Sequence, residues 1–346
     1  PKMKDSKLYY FLDQLSASQR RGFADYLASP VFNNRETLVR LFEAFSYMIQ
    51  DGAPLSREEV YEVIFPGKEF NEKSLKTLMS QLFNLLKDFL AFSQYQKEKV
   101  LQQRLLLKQL NQLAEQKYFP GLKSKASKNA EKAGLHYSDY LYELMLLEDE
   151  HDEYRKRQPN RQEYGMVEPS VTFLHHSFLV RLLRQRIRVL NQQAAFEQTT
   201  NMEYLDGLLQ YIRSHREELP IEAEVYYQLY DAFIIPGQPQ VFEATRQLLH
   251  TQVKRFSRFE AEELYTCLIN LGLRRLNQGD LAYLSPLLEV YKEALDFGLL
   301  LEKGKLLAHH ARNISNLALR QKEFAWVETF IESWKGRMIA DYADNT

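Results

Sequence analysis

The sequence contains few residue combinations that could carry chemistry, and the first of them is a Glu-x-x-His pair. Glu148 and His151 have the spacing of one part of a carboxylate-bridged di-iron site, which needs a second such pair and two further glutamates that face it. No other histidine of the chain has a glutamate three residues before it. We therefore expect Glu148 and His151 to belong to an acidic helix face in contact with solvent.

Two adjacent histidine pairs and a single cysteine are the next candidates. Adjacent residues on a helix point about 100° apart, so neither His175–His176 nor His309–His310 is expected to hold one metal ion. Cys267 lies in an apolar helical stretch, where a thiol usually packs as a small hydrophobic group. Phosphate-binding glycine loops, the Gly-x-Ser-x-Gly motif and His-Glu-x-x-His are absent from the sequence. We expect no catalytic residue, no cofactor and no metal ion.

Three arginines at helical spacing are the best candidates for contacts with a partner. Arg181, Arg184 and Arg188 fall on one face of a predicted helix. A guanidinium group suits bidentate binding of a carboxylate or phosphate better than an ammonium group does. The alternative is that basic and acidic helix faces pair with each other within the protein, because an acidic run at 139–153 follows a basic stretch at 95–132.

Three tyrosines crowd another predicted helix. Tyr226, Tyr227 and Tyr230 cannot all point the same way on a helix. We therefore expect one of them to face outward and to anchor a partner, as exposed aromatic side chains do in solenoid grooves. Packing in the core is the alternative for each of them.

The elements that position these residues are predicted to be helices almost throughout. Apolar residues recur with a period of 3.6 in nearly every window, and strand-like alternation is nearly absent. Helix starts are marked by two capping boxes, Ser16 with Gln19 and Ser56 with Glu59, and by Asn71. These patterns predict a chain of amphipathic helices.

The ends of the predicted helices are marked by proline and glycine. Triplets of an apolar residue, proline and glycine at 65–67, 119–121 and 235–237 predict turns. Gly134 is placed to end a helix in the left-handed conformation. The polar stretch 158–169 predicts a surface loop or a hinge between two helical parts.

Internal repetition in the second half of the chain is the most informative pattern. In residues 261–295, Leu268, Gly272 and Gly279 fall at the spacing of the tetratricopeptide repeat. In that repeat a small residue lets two helices approach, and a glycine allows the tight turn between them. Residues 311–334 resemble the same unit. The positions that follow the turns are spaced 40 and 43 residues apart: Val241, Leu281 and Phe324.

Over residues 170–335 the chain therefore resembles a tetratricopeptide-like α-solenoid with helices longer than the consensus. HEAT-like repeats or generic helical hairpins explain the repeat period equally well. The resemblance implies a curved groove that binds a peptide or a helix of a partner protein.

A second, shorter resemblance concerns residues 55–90, which look like the two central helices of a winged helix-turn-helix of the response-regulator type. The likeness rests on Ser56-Arg57-Glu58-Glu59, on the turn at Phe65-Pro66 and on an amphipathic helix that begins at Asn71. It implies DNA binding, with base contacts from that helix. The side chains able to make them are Lys73, Lys76, Gln81, Asn84 and Lys87. The alternative is an amphipathic hairpin that packs on its neighbours.

Composition and charge are those of a soluble globular protein. The chain has 346 residues, of which 45% are hydrophobic and 26% charged, and a formal net charge of −1, so it lacks a general positive field that would attract nucleic acid or anionic lipid. Its 13 glycines and 11 prolines are fewer than usual, which favours long helices. One cysteine allows no intrachain disulfide and fits a reducing compartment. We expect a cytoplasmic protein without a membrane-spanning segment or signal peptide.

These observations predict an all-α protein in three parts. They are an N-terminal helical domain at 1–94, connecting long helices at 95–160 and an α-solenoid of antiparallel helix pairs at 161–346. The leading hypothesis is a non-enzymatic scaffold or adaptor that binds a protein or peptide partner through a helical-repeat groove. The alternative is a DNA-binding transcriptional regulator with a helical-repeat sensor domain, and an enzyme with dispersed catalytic residues is a third possibility. The candidate partner-binding residues are Arg181, Arg184, Arg188, Tyr226, Tyr227 and Tyr230.

Overall fold

A computed structural model describes residues 3–52, 54–113, 117–158, 168–196, 206–235 and 237–339 of the protein. Over these residues the chain is all-α apart from one small sheet, as the helical period predicts. Eight helices lie in the first half: α1 Lys7–Gln14, α2 Ala17–Ala28, α3 Glu36–Gln50, α4 Arg57–Ile64, α5 Glu72–Lys97, α6 Lys99–Gln112, α7 Phe119–Lys132 and α8 Tyr137–Arg155.

The second half of the described chain continues with eight helices and three short strands. The helices are α9 Glu168–Phe196, α10 Asp206–Ser214, α11 Ile221–Ile234, α12 Pro239–Gln252, α13 Arg258–Asn277, α14 Leu284–Asp296, α15 Ala308–Arg320 and α16 Phe324–Trp334. The strands are β1 Leu301–Glu302, β2 Lys305–Leu307 and β3 Met338–Ile339. Strand β2 lies in the middle of the sheet, antiparallel to β1 and parallel to β3.

The chain divides into two compact units, and the boundary between Gln102 and Gln103 falls inside α6. The predicted division at 94/95 and 160/161 stays a prediction. In the first unit both predicted capping boxes are confirmed: the hydroxyls of Ser16 and Ser56 each accept the third backbone N–H of their helix. Such caps satisfy N–H groups that have no partner within the helix.

The core of the first unit is apolar and aromatic. Phe23 on α2 is fully buried and lies edge-on against Phe42 of α3, with ring centroids 5.1 Å apart. Its ring centroid is 5.3 Å from that of Phe89 on α5. Helices α2, α3 and α5 therefore pack together through one aromatic cluster in the core of this unit.

The second unit is built from consecutive helices that pack on each other, including the pairs α11 and α12, α13 and α14, and α15 and α16. The predicted small residue is confirmed at Gly272, where a Cβ atom would lie 2.8 Å from Cδ1 of Leu287 and 3.1 Å from the ring of Phe242. Gly279 then makes the turn to the next helix with a φ of 94°, which favours glycine. Both features agree with a solenoid of helix pairs.

One predicted turn is confirmed, another is wrong, and the small sheet was not predicted. The triplet 65–67 forms the predicted turn, with Gly67 at a φ of 74°. The triplet at 119–121 does not, because Phe119 is the first residue of α7. Pro120 occupies the first helical turn, where a missing N–H leaves no hydrogen bond unmade. The small sheet was not expected, since strands of two or three residues are too short to show alternation.

Some predictions fall on residues outside the described ranges. They concern most of the loop at 158–169 and Pro236 of the third triplet. Gly237, the last residue of that triplet, has the positive φ of 68° that a turn requires.

Candidate functional site: a polar groove between two helices

An open groove lies between α9 and α13 in the second unit and encloses about 360 Å³. We call it the α9–α13 groove. Two of the predicted partner-binding arginines lie in its wall. The residues that line it are Arg184, Arg188, Asn191 and Gln192 of α9 and Phe259, Glu262, Glu263, Thr266 and Cys267 of α13.

Helical periodicity explains why these side chains meet. On α9 the lining residues follow each other at intervals of four, three and one, and on α13 at three, one, three and one. Residues with such spacing share one face of a helix. Helix α13 is held at its start by Ser257, whose hydroxyl accepts the N–H of Glu260. The groove is therefore the meeting of two polar helix faces above an apolar interior.

Arg184 is the central side chain of the groove and is mostly buried, with 11% of its side chain exposed. Its Nε and Nη2 atoms donate hydrogen bonds to Oε2 of Glu263, at 3.1 and 2.9 Å. Its Nη2 atom also donates to Nε2 of His136, at 2.7 Å. Arg184 thus ties the start of α8 to α9 and α13, and its charge is neutralised by Glu263.

The other two arginines of the predicted stripe have different surroundings. The side chain of Arg181 is 51% exposed and forms an ion pair with Asp139 on α8. The side chain of Arg188 is 49% exposed, and its Nε atom lies 3.6 Å from Oε1 of Glu263, beyond the usual length of a hydrogen bond. Of the three, Arg188 alone combines exposure, a place in the groove and a weak internal contact.

A buried carboxylate lies directly behind the groove. Glu260 has no exposed surface, and it accepts a hydrogen bond of 2.6 Å from the hydroxyl of Tyr226 and one of 2.8 Å from the backbone N–H of Tyr137. Burial raises the pKa of the Glu260 carboxyl to about 7. Tyr137 is the first residue of α8, so Glu260 provides that helix with a cap from a distant segment.

His136 links this carboxylate to the groove. Burial, with Arg184 as the second cause, lowers the pKa of its imidazole, so the ring is neutral at pH 7. Its Nε2 atom accepts from Arg184, which places the proton on Nδ1. Nδ1 lies 3.9 Å from Oε1 of Glu260 and makes no hydrogen bond with the described part of the chain.

The predicted tyrosines are not in the groove. Tyr226, Tyr227 and Tyr230 are all buried, with 6% exposure or less, so the expectation that one of them faces outward is wrong. The helix that carries them, α11, is packed against both α9 and α12, and it therefore buries more than one of its faces. The exposed aromatic ring of the site is Phe259, which is 65% exposed.

Cys267 lies at the floor of the groove and is buried. Burial raises the pKa of its thiol to about 12, so the thiol is protonated at neutral pH and is a poor nucleophile. It packs as a small hydrophobic group, as predicted.

The Glu-x-x-His pair has a structural environment. His151 contacts Glu148 at 3.3 Å, and Lys123 of α7 pairs with the same carboxylate. The hydrogen bonds from His151 and Lys123 lower the pKa of Glu148 to about 2. The side chains of Glu148 and His151 are only 17% and 29% exposed, rather than solvated as expected, because α7 covers them. No group of three or more metal-ligating side chains occurs among the described residues.

The helix predicted to read DNA is α5 in the first unit. It runs without a break from Glu72 to Lys97, and the described residues of this unit contain no strand that could form a wing. Lys76 pairs with Glu72 at 2.9 Å, and Gln81 accepts a hydrogen bond of 2.8 Å from Arg35. Two of the five predicted base-contacting side chains are therefore engaged in polar contacts within the protein, and Nζ of Lys87 lies 5.4 Å from the ring centroid of Phe83.

Comparison with known proteins adds no family to this description. No family model matches the chain. Neither the curated proteins nor the solved structures contain a significant match to it. Within the described ranges, no helix has both the length and the apolar character that crossing a bilayer requires.

Proposed function

We propose that this chain is a non-enzymatic cytoplasmic scaffold that binds a partner protein through the α9–α13 groove, and that its helix pairs form a tetratricopeptide-like array. The observation that carries the proposal is the open groove on a frame of packed helix pairs, with the exposed ring of Phe259 at its wall. Helical repeats present such concave surfaces to peptides and helices.

The groove has the properties of a preorganised binding surface. Arg184 makes three hydrogen bonds, two of them to Glu263 and one to His136. Because Arg184 and Glu263 are already fixed, their side chains lose little conformational entropy when a partner binds. The ring of Phe259 lies edge-on against His136, with centroids 5.1 Å apart, and presents the rest of its surface to solvent. Rigid aromatic side chains of this kind often dominate binding energy at interfaces.

Site-specific photocrosslinking tests this function. The photoreactive residue p-benzoylphenylalanine replaces Phe259 in one variant and Phe324 in another. Phe324 is a matched control because it is 58% exposed in the same unit and does not line the groove. We expect a discrete crosslinked partner from native lysate with the variant at 259 and none with the variant at 324. Equal crosslinking at both positions, or none at 259, contradicts the proposal.

The alternative function, a DNA-binding regulator, is favoured by one surface of the first unit. Helix α5 exposes Lys73, Thr77, Ser80, Asn84 and Lys87 along one polar face. Nucleic-acid binding through this face would depend steeply on salt. A labelled 30-base-pair duplex of random sequence, titrated with the protein at two salt concentrations, tests it. Salt-dependent binding that the double substitution Lys73→Gln/Lys87→Gln abolishes would favour the regulator.

A further inference from the structure

We propose that the α9–α13 groove recognises a peptide segment in which one acidic side chain stands beside an apolar one. Arg188 is the residue that binds the acid, and Phe259 packs against the apolar side chain. The inference rests on the proposed function and adds to it the chemistry of the partner.

Counted together with Arg258, which lies beside the groove and outside its lining, the charged side chains leave one cation in excess. Glu263 is neutralised by Arg184, whose Nη2 atom donates to it at 2.9 Å. Glu262 is neutralised by Arg258, whose Nε atom donates to it at 2.9 Å. Arg188 makes only the 3.6 Å contact with Glu263 in the described part of the chain. Its guanidinium therefore keeps donors that can bind a carboxylate with charge-assisted hydrogen bonds.

The remaining walls suit a peptide backbone and an apolar side chain. The amide side chains of Asn191 and Gln192 lie in the wall, and Oδ1 of Asn191 accepts a hydrogen bond of 3.4 Å from Nδ2 of Asn270, which lies outside the lining. Amide side chains offer both a donor and an acceptor, as a peptide group does. The ring of Phe259 supplies apolar area at the same groove.

The same charges disfavour a polyanion. Glu262 and Glu263 lie in the wall beside Arg188, and they would repel closely spaced phosphates. Nucleic-acid binding depends on several cations that each neutralise a phosphate, whereas this groove has one that is incompletely paired. A single carboxylate is the anion that the excess of one charge matches.

Selection from a phage-displayed library of random 12-residue peptides, panned on the full chain, tests the inference. We expect the enriched peptides to share an aspartate or glutamate next to an apolar residue. Binding of the synthetic, fluorescein-labelled peptides is then measured by anisotropy. Arg188→Gln should weaken binding about tenfold, which is the loss expected for one partly exposed charge-assisted hydrogen bond.

Arg181→Gln is the matched control. It removes the same charge from a side chain of equal exposure on the same helix, outside the groove, and should leave affinity unchanged. Replacing the acid of the peptide by its amide should weaken binding as Arg188→Gln does, and the two changes together should be no worse than either alone.

The outcomes separate the inference from the proposed function. One outcome is that the enriched peptides lose affinity for the Phe259→Ala variant but share no acidic residue. That result overturns the acidic-partner inference and leaves the groove as a binding surface. Equal effects of Arg181→Gln and Arg188→Gln overturn it as well. If no enriched peptide depends on Phe259 or Arg188, and crosslinking at 259 yields no partner, both the inference and the proposed function fail.

Discussion

The two units of the protein solve the problem of a stable core in different ways. Among the described residues of the first unit, the only buried polar side chain is Asn33, whose amide donates to the carbonyl of Leu27 at 2.9 Å. The described part of the second unit buries three carboxylates: Glu222, Glu260 and Glu293. The first unit thus depends on the shape of its aromatic side chains, and the second also depends on directional polar contacts.

Two of these buried glutamates, Glu260 and Glu293, are matched with tyrosines from other helices. Tyr226 of α11 donates to Glu260 of α13 at 2.6 Å, and Tyr265 of α13 approaches Glu293 of α14 at 3.4 Å. A buried polar pair contributes little net stability, but a mispaired one is costly. We infer that these pairs specify which helix packs on which in this unit, since apolar contacts are not directional and discriminate poorly between partners.

The largest expected effect tests the apolar core. Phe23→Ala should lower the free energy of unfolding of the first unit by about 3–5 kcal/mol, because it leaves a cavity among Phe42, Phe89 and Tyr26. Hydrogen exchange measured by mass spectrometry should show lost protection in α2, α3 and α5 and unchanged protection in α13. Val31→Ala, at an 81% exposed site, should change stability by less than about 0.5 kcal/mol. Similar losses in the two variants would refute the comparison.

The stability of the second unit should depend on pH through its buried carboxylate Glu260. Burial raises the pKa of folded Glu260 from 4.5 to about 7, so between these values the folded state binds more protons than the unfolded state. Stability from this group is therefore complete below pH 4.5 and is lost as pH rises to 7, by up to about 3 kcal/mol. Glutamine does not titrate, so the difference in unfolding free energy between the wild type and Glu260→Gln should fall by that amount.

Tryptophan emission can follow this transition in urea at pH 5, 6, 7 and 8, because both tryptophans, Trp326 and Trp334, lie in the second unit. His136 has a lowered pKa and favours the opposite trend below pH 6.5, but both proteins contain it. If the difference in unfolding free energy between the wild type and Glu260→Gln stays constant from pH 5 to pH 8, Glu260 does not titrate in this range.

A smaller effect is expected from the partner of this carboxylate. Tyr226→Phe removes the hydroxyl that donates to Glu260 and should cost about 1–3 kcal/mol, because the buried acceptor loses a partner. Tyr283→Phe is the control, since Tyr283 is equally buried and its hydroxyl makes no hydrogen bond within the described part of the chain. Urea denaturation at pH 8, where Glu260 is ionised, gives the greatest contrast. A loss as large for Tyr283→Phe would mean that the ring, not the hydroxyl, is sensitive.

The smallest effect is expected from replacing a glycine where two helices pack closely, and each unit has one such glycine. Gly272→Ala would place a methyl group 2.8 Å from Leu287 and should lower stability by about 1 kcal/mol, because overpacking outweighs the gain in helix propensity. Gly22→Ala meets only the ring of Phe89, at 3.3 Å, and should be within about 0.5 kcal/mol of the wild type. The midpoints of thermal unfolding measure both. Greater destabilisation by Gly22→Ala would reverse the comparison.

The predictable features of this protein are those in which cause and effect lie close together in sequence. The caps at Ser16, Ser56 and Asn71 were predicted because donor and acceptor are three residues apart. Gly279 was predicted because a tight turn requires a positive φ at one residue. The turn predicted at 119–121 was wrong because proline suits both a turn and the first turn of a helix. Only the neighbouring helices decide between these two conformations.

The candidate site was predictable only in part. Helical spacing placed Arg184 and Arg188 on one face, but nothing in the sequence showed that Glu263, 79 residues from Arg184, would neutralise one and leave the other exposed. Glu260 follows Ser257 at the spacing of a local capping box, and that local explanation conceals its contact with Tyr137. Phe259 gave no sign of exposure, because an aromatic residue at helical spacing is usually part of a core.

The sequence by itself determined that this protein is helical and where several of its helices begin, because capping and periodicity act within a few residues. Only the tertiary structure decided that all three tyrosines of α11 are buried, that Arg188 is the exposed cation of the groove, and that Glu260 caps a helix 123 residues away. Each residue step turns a helix by about 100°. Which side chain meets solvent, a charge or a core therefore depends on neighbours that are distant in sequence.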